Sequence, residues 1–193
     1  MLPDEQIKVN VAKGEYYDSL FESPIFLLNL RIYRAWHEGL FRVFGTGAST
    51  ILFEMGKELG VNVIQSMIIK TKNPLKLVSL GLKHATLLGW GEFKVTTAEL
   101  FKMATLRTLK VKVYDCFTAK AVGNCGQASC HLLRGFFIGT LQTLIGGTYS
   151  CEETKCLSKG DTHCEFILKR RPQLMRRQTH IQKLRKSTEK VGE

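Results

Sequence analysis

Between residues 153 and 164 the chain reads Glu153-Thr-Lys-Cys156-Leu-Ser-Lys-Gly160-Asp161-Thr-His163-Cys164. Two thiols and a carboxylate flank a loop that contains Gly160-Asp161, a pair with the chemistry of a turn. We therefore expect the chain to double back and bring Cys156 close to Cys164. Cys130 lies just before an apolar segment and is a third thiol that a neighbouring element can supply. Three thiolates and one carboxylate form a closed tetrahedral donor set of the kind that holds structural zinc.

The spacing of these residues leaves two interpretations open. It is neither a CxxC pair nor a zinc-finger pattern, so ordinary buried cysteines explain it as well as metal ligands do. His163 is an alternative fourth ligand. It adjoins Cys164, and successive strand side chains point to opposite faces, which argues against both residues binding one metal.

The sequence around this stretch predicts a helix packed on a sheet. Residues 131–145 are strongly apolar and long enough for a helix, which Gly146-Gly147 ends. Alternating apolar residues predict half-buried strands on either side of it, at residues 109–113, 148–153 and 164–168.

The first half of the chain is predicted to be helical. Apolar residues at helical spacing indicate one helix from Arg31 to Phe44 and a second from Ala48 to Leu59, with Gly60 as its C-cap. A third helix is expected from Asn73-Pro74 to about Leu88. Helices first and a sheet later, with one helix inserted, indicate an α+β domain in which helices pack on an antiparallel sheet.

The positive charge is concentrated at one end of the chain. The formal net charge is +11, yet residues 169–193 hold nine Lys/Arg against two Asp/Glu, and the other 168 residues hold nineteen against fifteen. We divide the chain into a domain at residues 1–170 and a basic helix or tail at 171–193. A solvated helix explains the tail more simply than an arm for phosphates does, because no recognition motif accompanies it.

No targeting or membrane segment is expected. The first residues are acidic where a secretion signal would be basic. The uncharged stretch from Gly135 to Cys151 is short for a membrane span and contains several polar residues, so we interpret it as a buried helix. These features indicate the reducing cytoplasm, where cysteines are more often thiols or metal ligands than disulfides.

Two motifs resemble those of the 4-vinyl reductase domain family. They are Cys130-His131-Leu-Leu-Arg-Gly135-Phe136 and Glu153-x-x-Cys156-x-x-x-Gly160-Asp161-x-His163-Cys164-x-Phe166. The resemblance is clearest over residues 110–168 and includes the sensory domains of phenol-responsive bacterial regulators. In those domains three cysteines and a glutamate hold zinc, and by spacing these fall on Cys130, Glu153, Cys156 and Cys164. The other three cysteines, Cys116, Cys125 and Cys151, are interpreted as small buried hydrophobic residues.

The same resemblance implies a pocket between helices and sheet for a small hydrophobic ligand. His84 falls near a histidine that contacts the phenol hydroxyl in the sensors, and Val113 and Phe136 are further candidate ligand-binding residues. The tryptophan that partners this histidine is replaced by Leu109, or by Val113 if one gap is allowed. We therefore expect a more purely apolar ligand than phenol.

The leading hypothesis is a stand-alone sensor or carrier with structural zinc, a homodimer as its relatives are. An enzymatic or accessory role with tetrapyrroles is the alternative that the family name suggests. Gly45-Thr-Gly47 lacks the third glycine of a dinucleotide fingerprint, and no catalytic triad or carboxylate pair stands out. A third hypothesis is a nucleic-acid-associated regulator that uses basic residues of the tail. Those residues are Arg170, Arg171, Arg176, Arg177, Lys183, Arg185 and Lys186.

Overall fold

Helices and two antiparallel sheets build the described part of the chain. The computed structural model describes residues 6–69, 73–95 and 108–171. The helices within these ranges are α1 (Leu30–Phe44), α2 (Gly47–Ile68), α3 (Pro74–Leu87), α4 (Phe117–Val122) and α5 (His131–Ile145). The α+β class is as predicted.

The two sheets differ in size and position in the chain. The first has the order β1-β2-β3 and contains β1 (Ile7–Asn10), β2 (Glu15–Asp18) and β3 (Ser23–Ile25). The second has the order β4-β5-β7-β6 and contains β4 (Glu92–Lys94), β5 (Thr108–Tyr114), β6 (Thr148–Lys155) and β7 (Cys164–Arg171). All pairings within them are antiparallel.

The second sheet buries one face against α5. Leu109, Val111 and Val113 are buried on β5 while the residues between them are partly exposed, as the alternation predicts. Val111 pairs with Phe166 on β7, and the Phe166 ring packs edge-on against Phe137 of α5 at 5.1 Å between centroids. This layer of side chains is the main core and holds the start of α5 against the sheet.

Helices α2 and α5 pack with their backbones in contact. Gly56 and Gly60 of α2 lie against the backbone of α5, and Gly135 and Gly139 of α5 lie against the backbone of α2. A Cβ atom at Gly60 would collide with the carbonyl oxygen of Phe136. The predicted end of the second helix at Leu59 is therefore wrong: α2 continues to Ile68, because Gly60 serves close packing and not helix termination.

Other helix boundaries agree with the sequence pattern. Helix α1 starts after Asn29, whose side chain accepts a hydrogen bond from the Ile32 N–H at 3.0 Å, and it ends at Gly45. Helix α3 ends before Gly89, which has a positive φ of 80°. The first sheet and the short helix α4 were not predicted, because both are made of segments too short for a clear period.

Two predictions concern residues that lie mostly outside the described ranges. Arg171 ends β7, and the remainder of the basic tail, with its candidate nucleic-acid contacts from Arg176 to Lys186, is not among the described residues. Within the ranges that the structure describes, no helix combines the length and the apolar character needed to cross a membrane.

Candidate metal centre and apolar cavity

The four predicted metal ligands meet where α5 starts and the last two strands are joined. Cys130 is the N-cap residue of α5, and Glu153 lies at an irregularity in the pairing of β6 with β7. Cys156 directly follows β6, and Cys164 is the first residue of β7. Their candidate ligand atoms all lie within 4.8 Å of one another, so the fold brings together residues from four positions in the chain.

The three thiols have the spacing that a tetrahedral metal requires. The sulfur of Cys130 lies 3.6 Å from that of Cys164 and 3.9 Å from that of Cys156, and the last two are 3.9 Å apart. A tetrahedral zinc with Zn–S bonds of about 2.3 Å separates its sulfurs by about 3.8 Å. All three residues are fully buried. The thiol triangle therefore fits one zinc-sized ion.

Glu153 supplies a fourth donor atom that has no other partner. Its Oε2 accepts a hydrogen bond from the backbone N–H of Cys130 at 3.1 Å, which fixes the carboxyl group beside the thiols. Its Oε1 is buried and has no hydrogen-bond partner among the described residues. A buried carboxylate oxygen without a partner is costly, and a cation at the cluster would satisfy it.

The protonation of the cluster depends on whether a cation is bound. Burial raises the pKa of the Glu153 carboxyl to about 8 and raises the pKa of the Cys130 thiol. Hydrogen bonds from the Cys130 and Cys164 thiols lower the pKa of Cys156, so Cys156 ionises before Cys130. A coordinated dication reverses the effect of burial and deprotonates its thiols outright. The donor set is therefore one whose full ionisation requires a metal.

Hydrogen bonds hold the loop between Cys156 and Cys164 in shape. The N–H of Cys156 donates to Asp161 Oδ2 at 2.8 Å, and the N–H of Leu157 points at the Cys164 sulfur at 3.5 Å. Gly160 adopts a positive φ of 94°, which a turn of this kind requires. The Gly160-Asp161 pair thus makes the turn that the sequence predicted, and it also orients two ligands.

The other three cysteines do not share one environment. Cys151 is buried, as expected, but Cys125 is exposed, so its prediction as a buried hydrophobic residue is wrong. Cys116 is fully buried with its sulfur 3.5 Å from that of Cys130. The sequence analysis left Cys116 out of the thiol cluster. No local spacing signal connects it to the other thiols, since it follows β5 and is positioned by the sheet.

His163 lies beside the cluster but takes part in different contacts. Its Nδ1 is 3.0 Å from Thr162 Oγ1, and its ring stacks on Tyr114 with centroids 5.1 Å apart. It is not one of the residues whose ligand atoms converge. This arrangement agrees with the strand alternation, which turns His163 away from the face that Cys164 occupies.

An apolar cavity of about 60 Å³ lies between α2, α3, α5 and the second sheet. Among the described residues Thr140 is its one polar lining side chain, and the Thr140 hydroxyl is buried without a hydrogen-bond partner. The walls otherwise consist of aliphatic and aromatic side chains and the glycine of α3. They include Ile64, Met67, Gly81, Leu109, Val111 and Phe136.

The three predicted ligand-binding residues have different locations. Phe136 lines the cavity. Val113 is fully buried further along β5, next to Gly91, and is not among the lining residues. His84 lies on α3 and also is not among them. Leu109, where the sensors would place a tryptophan, does line the cavity.

His84 joins α3 to the first sheet. Its Nε2 lies 2.6 Å from Asp18 Oδ2, its Nδ1 lies 3.1 Å from Gln6 Oε1, and both His84 and Asp18 are buried. The other Asp18 oxygen accepts hydrogen bonds from the N–H groups of Leu20 and Phe21. Leu20 and Phe21 pack on the Ile64, Met67 and Leu77 side chains at one end of the cavity. His84 thus anchors a turn that closes this end.

A second, open depression of about 390 Å³ runs along α1; we name it the α1 groove. Its rim carries large apolar side chains in solvent: Phe26 is 75% exposed, Leu27 65% and Trp36 53%. Its floor includes Tyr33 and His37. The Tyr33 Oη and His37 Nε2 atoms are buried without hydrogen-bond partners in the described ranges. Contiguous apolar surface of this size is typical of an interaction site.

Sequence comparison links this chain to proteins with the same core. Residues 109–170 match the 4-vinyl reductase domain family. The uncharacterized protein MJ0150 of Methanocaldococcus jannaschii is 32% identical over 143 residues, which are 74% of this chain and 76% of the relative.

Three solved structures share the fold. The phenol-responsive sensory domain of the transcription activator PoxR with phenol has a TM-score of 0.67 and 17% identity, over 94% of this chain and 92% of that one. A vinyl-4-reductase family protein from Methanocaldococcus jannaschii has a TM-score of 0.52 and 18% identity, over 75% and 89%. A trafficking protein particle complex subunit 3 from Naegleria fowleri, covalently bound to palmitic acid, has a TM-score of 0.52 and 12% identity, over 74% and 93%.

Proposed function

The chain belongs to the 4-vinyl reductase domain family, and from this premise we propose that it is a sensory protein whose signal is a small apolar molecule. The apolar cavity between the helices and the second sheet is the observation that carries the proposal. The likeness to the PoxR domain, which binds phenol, supports a sensory role. No described residue near the cavity forms a catalytic constellation, so binding is the activity that the site supports best.

The chemistry of the cavity selects the class of ligand. Its lining offers a single hydroxyl, that of Thr140, and no charged group among the described residues. Desolvating a polar ligand in such a cavity costs free energy that one hydrogen bond does not recover, whereas apolar surface gains about 25 cal/mol per Å² on burial. The ligand we propose is therefore a small hydrocarbon or a ring with at most one polar group.

Replacing Gly81 by leucine is expected to abolish ligand binding without unfolding the protein. Gly81 lines the cavity on α3, and a Cβ there would contact the Met67 side chain at an ordinary 3.5 Å. Leucine is the better helix former by about 1 kcal/mol, and its side chain would occupy the cavity. Native and denaturing mass spectrometry should find a co-purified small mass in the wild type and none in the variant.

A thermal-shift series provides the matched control. Toluene should raise the melting temperature of the wild type more than phenol does, because the cavity compensates poorly for a buried hydroxyl. Lys83→Leu adds the same side chain on an exposed position of α3 and should respond like the wild type. Equal responses of Gly81→Leu and the wild type would show that the ligand binds elsewhere.

Zinc is the metal that we propose for the Cys130, Glu153, Cys156 and Cys164 cluster. Sulfur distances of 3.6 to 3.9 Å and a partnerless Glu153 oxygen support an ion with short bonds to thiolates. When bound, zinc supplies a cross-link and not catalysis, because four protein ligands leave no position for water. The four residues then join the start of α5 to β6 and β7. All six cysteines are free thiols in the structure, in keeping with the cytoplasmic location that we propose.

A second copy of the chain is the occupant that we propose for the α1 groove. Phe26, Leu27 and Trp36 expose more apolar surface than a monomer usually tolerates, and they form one continuous rim. Aromatic residues at the centre of such a face are typical of protein interfaces. A homodimer would bury this rim and would connect the sensory domains of two chains.

Replacing Trp36 by glutamate is expected to convert a dimer to a monomer. Light scattering during size-exclusion chromatography should give the wild type twice the 21.8 kDa mass of one chain, and the variant one chain mass. Val11→Glu is the matched control because Val11 is 81% exposed on the first sheet and does not line the groove. A wild type that elutes as one chain at micromolar concentration would refute the assignment of this face.

A further inference from the structure

Cys116 is a fifth potential donor at the metal centre. Its sulfur lies 3.5 Å from that of Cys130, close to the distances found among the three predicted thiol ligands. It is fully buried, and its other contact is with the Thr118 hydroxyl at 3.2 Å. Cys116 is not one of the four residues whose ligand atoms converge within 4.8 Å, so it stands just outside that set.

The backbone before Cys116 is held in an unfavourable conformation. Asp115 has a positive φ of 52°, one of two such non-glycine residues in the described ranges. This conformation turns the chain sharply at the end of β5, and Cys116 becomes the N-cap of α4 with its sulfur in the cluster. Positive φ in a non-glycine residue costs free energy and persists where the surroundings fix the residue that follows.

We propose that Cys116 is an exchangeable metal ligand that replaces Glu153 when the bound ion is softer than zinc or when the carboxylate is removed. The proposal rests on the metal centre of the proposed function. In the exchange the bond to the Glu153 oxygen breaks, a metal–sulfur bond to Cys116 forms, and the Cys116 thiol proton goes to the released carboxyl. The net charge of the buried site is the same before and after, so the exchange adds no charge to the interior.

The donor preference of the metal decides which of the two residues binds. Thiolates suit soft ions, whereas a carboxylate suits harder ones. Four thiolates form a closed tetrahedral set that is as common for structural zinc as three thiolates with another ligand. The site thus contains two complete tetrahedral sets that share Cys130, Cys156 and Cys164.

Cobalt absorption spectroscopy tests the proposal on the full chain. Co²⁺ occupies tetrahedral zinc sites, and its thiolate charge-transfer absorbance grows with the number of bound sulfurs. We expect the wild type and Cys116→Ser to give the same three-thiolate spectrum. Glu153→Gln should give an absorbance larger by about one third, for four sulfurs in place of three. Glu153→Gln combined with Cys116→Ser should lose that gain. A Glu153→Gln spectrum with three thiolates would overturn the proposal.

Cadmium provides a measurement that leaves Glu153 unchanged. Cd²⁺ is softer, so the wild type should show a cadmium–thiolate absorbance about one third larger than that of Cys116→Ser. Equal absorbances would overturn the proposal even if Glu153→Gln does not fold. Failure of the wild type to bind Co²⁺ or Cd²⁺ would overturn the metal centre itself. Binding with no dependence on Cys116 would overturn only the exchange.

Discussion

Cys156→Ala is expected to give protein that is unfolded or insoluble. Cys156 lies at the centre of the thiol cluster, with two sulfurs at 3.9 Å, and its N–H also fixes the loop that leads to Cys164. Structural zinc contributes roughly 10–16 kcal/mol of apparent binding free energy in peptides at neutral pH, which is comparable with the whole stability of a domain. Circular dichroism and thermal unfolding of the purified variant provide the measurement. Cys164→Ala should have the same effect.

Cys125→Ala is the control for this experiment. Cys125 is the one exposed cysteine, and its sulfur contacts only the Gln127 carbonyl oxygen, at 3.5 Å. Its removal should leave both the zinc content and the melting temperature unchanged. Chelation of the metal from the wild type should reproduce the Cys156→Ala result without any change of side chain. A soluble Cys156→Ala protein that melts like the wild type would exclude a structural role for the metal.

Gly135→Ala is expected to lower the free energy of unfolding by about 3 kcal/mol or more. A Cβ atom at Gly135 would collide with the carbonyl oxygen of Phe53 and would lie 2.8 Å from the Lys57 nitrogen. Both atoms belong to the backbone of α2, which cannot rotate away as a side chain would. The two helices must therefore separate, and they also form walls of the apolar cavity. Thermal unfolding should show a melting temperature lower by about 10 °C.

Gly39→Ala tests whether the effect comes from the helix contact. Gly39 lies within α1, and a Cβ there would meet no atom within 4 Å. Alanine has the higher helix propensity, so this variant should be more stable than the wild type by up to about 1 kcal/mol. If Gly39→Ala and Gly135→Ala are equally destabilised, helix propensity and not close packing would have to explain the loss.

Close packing of α2 and α5 was the largest difference between the sequence-based prediction and the fold. A glycine after a run of apolar residues indicates a helix end as strongly as it indicates a close contact, and nothing local distinguishes the two at Gly60. The distinction depends on the backbone of Phe136 in another helix. A prediction from local patterns therefore ended α2 too early.

The sequence by itself determined the regular elements of the core and the composition of the metal centre. The period of two over β5 and the apolar run of α5 are local, and each directs its own segment to one face. Turn chemistry at Gly160-Asp161 brings Cys156 to Cys164 over only eight positions, so the local chain dictates their meeting. The family resemblance then added Cys130 and Glu153.

Only the tertiary structure decided which distant residues join these sites. Cys116 is 14 positions from Cys130 and is brought to it by the end of β5, and His84 meets Asp18 across 66 positions. Neither contact leaves a periodic or compositional signal, because each depends on how separate elements dock. The same residue types, a cysteine and a histidine, were therefore assigned from local pattern to a hydrophobic filler and a ligand contact. Packing instead places one at the metal centre and the other at the first sheet.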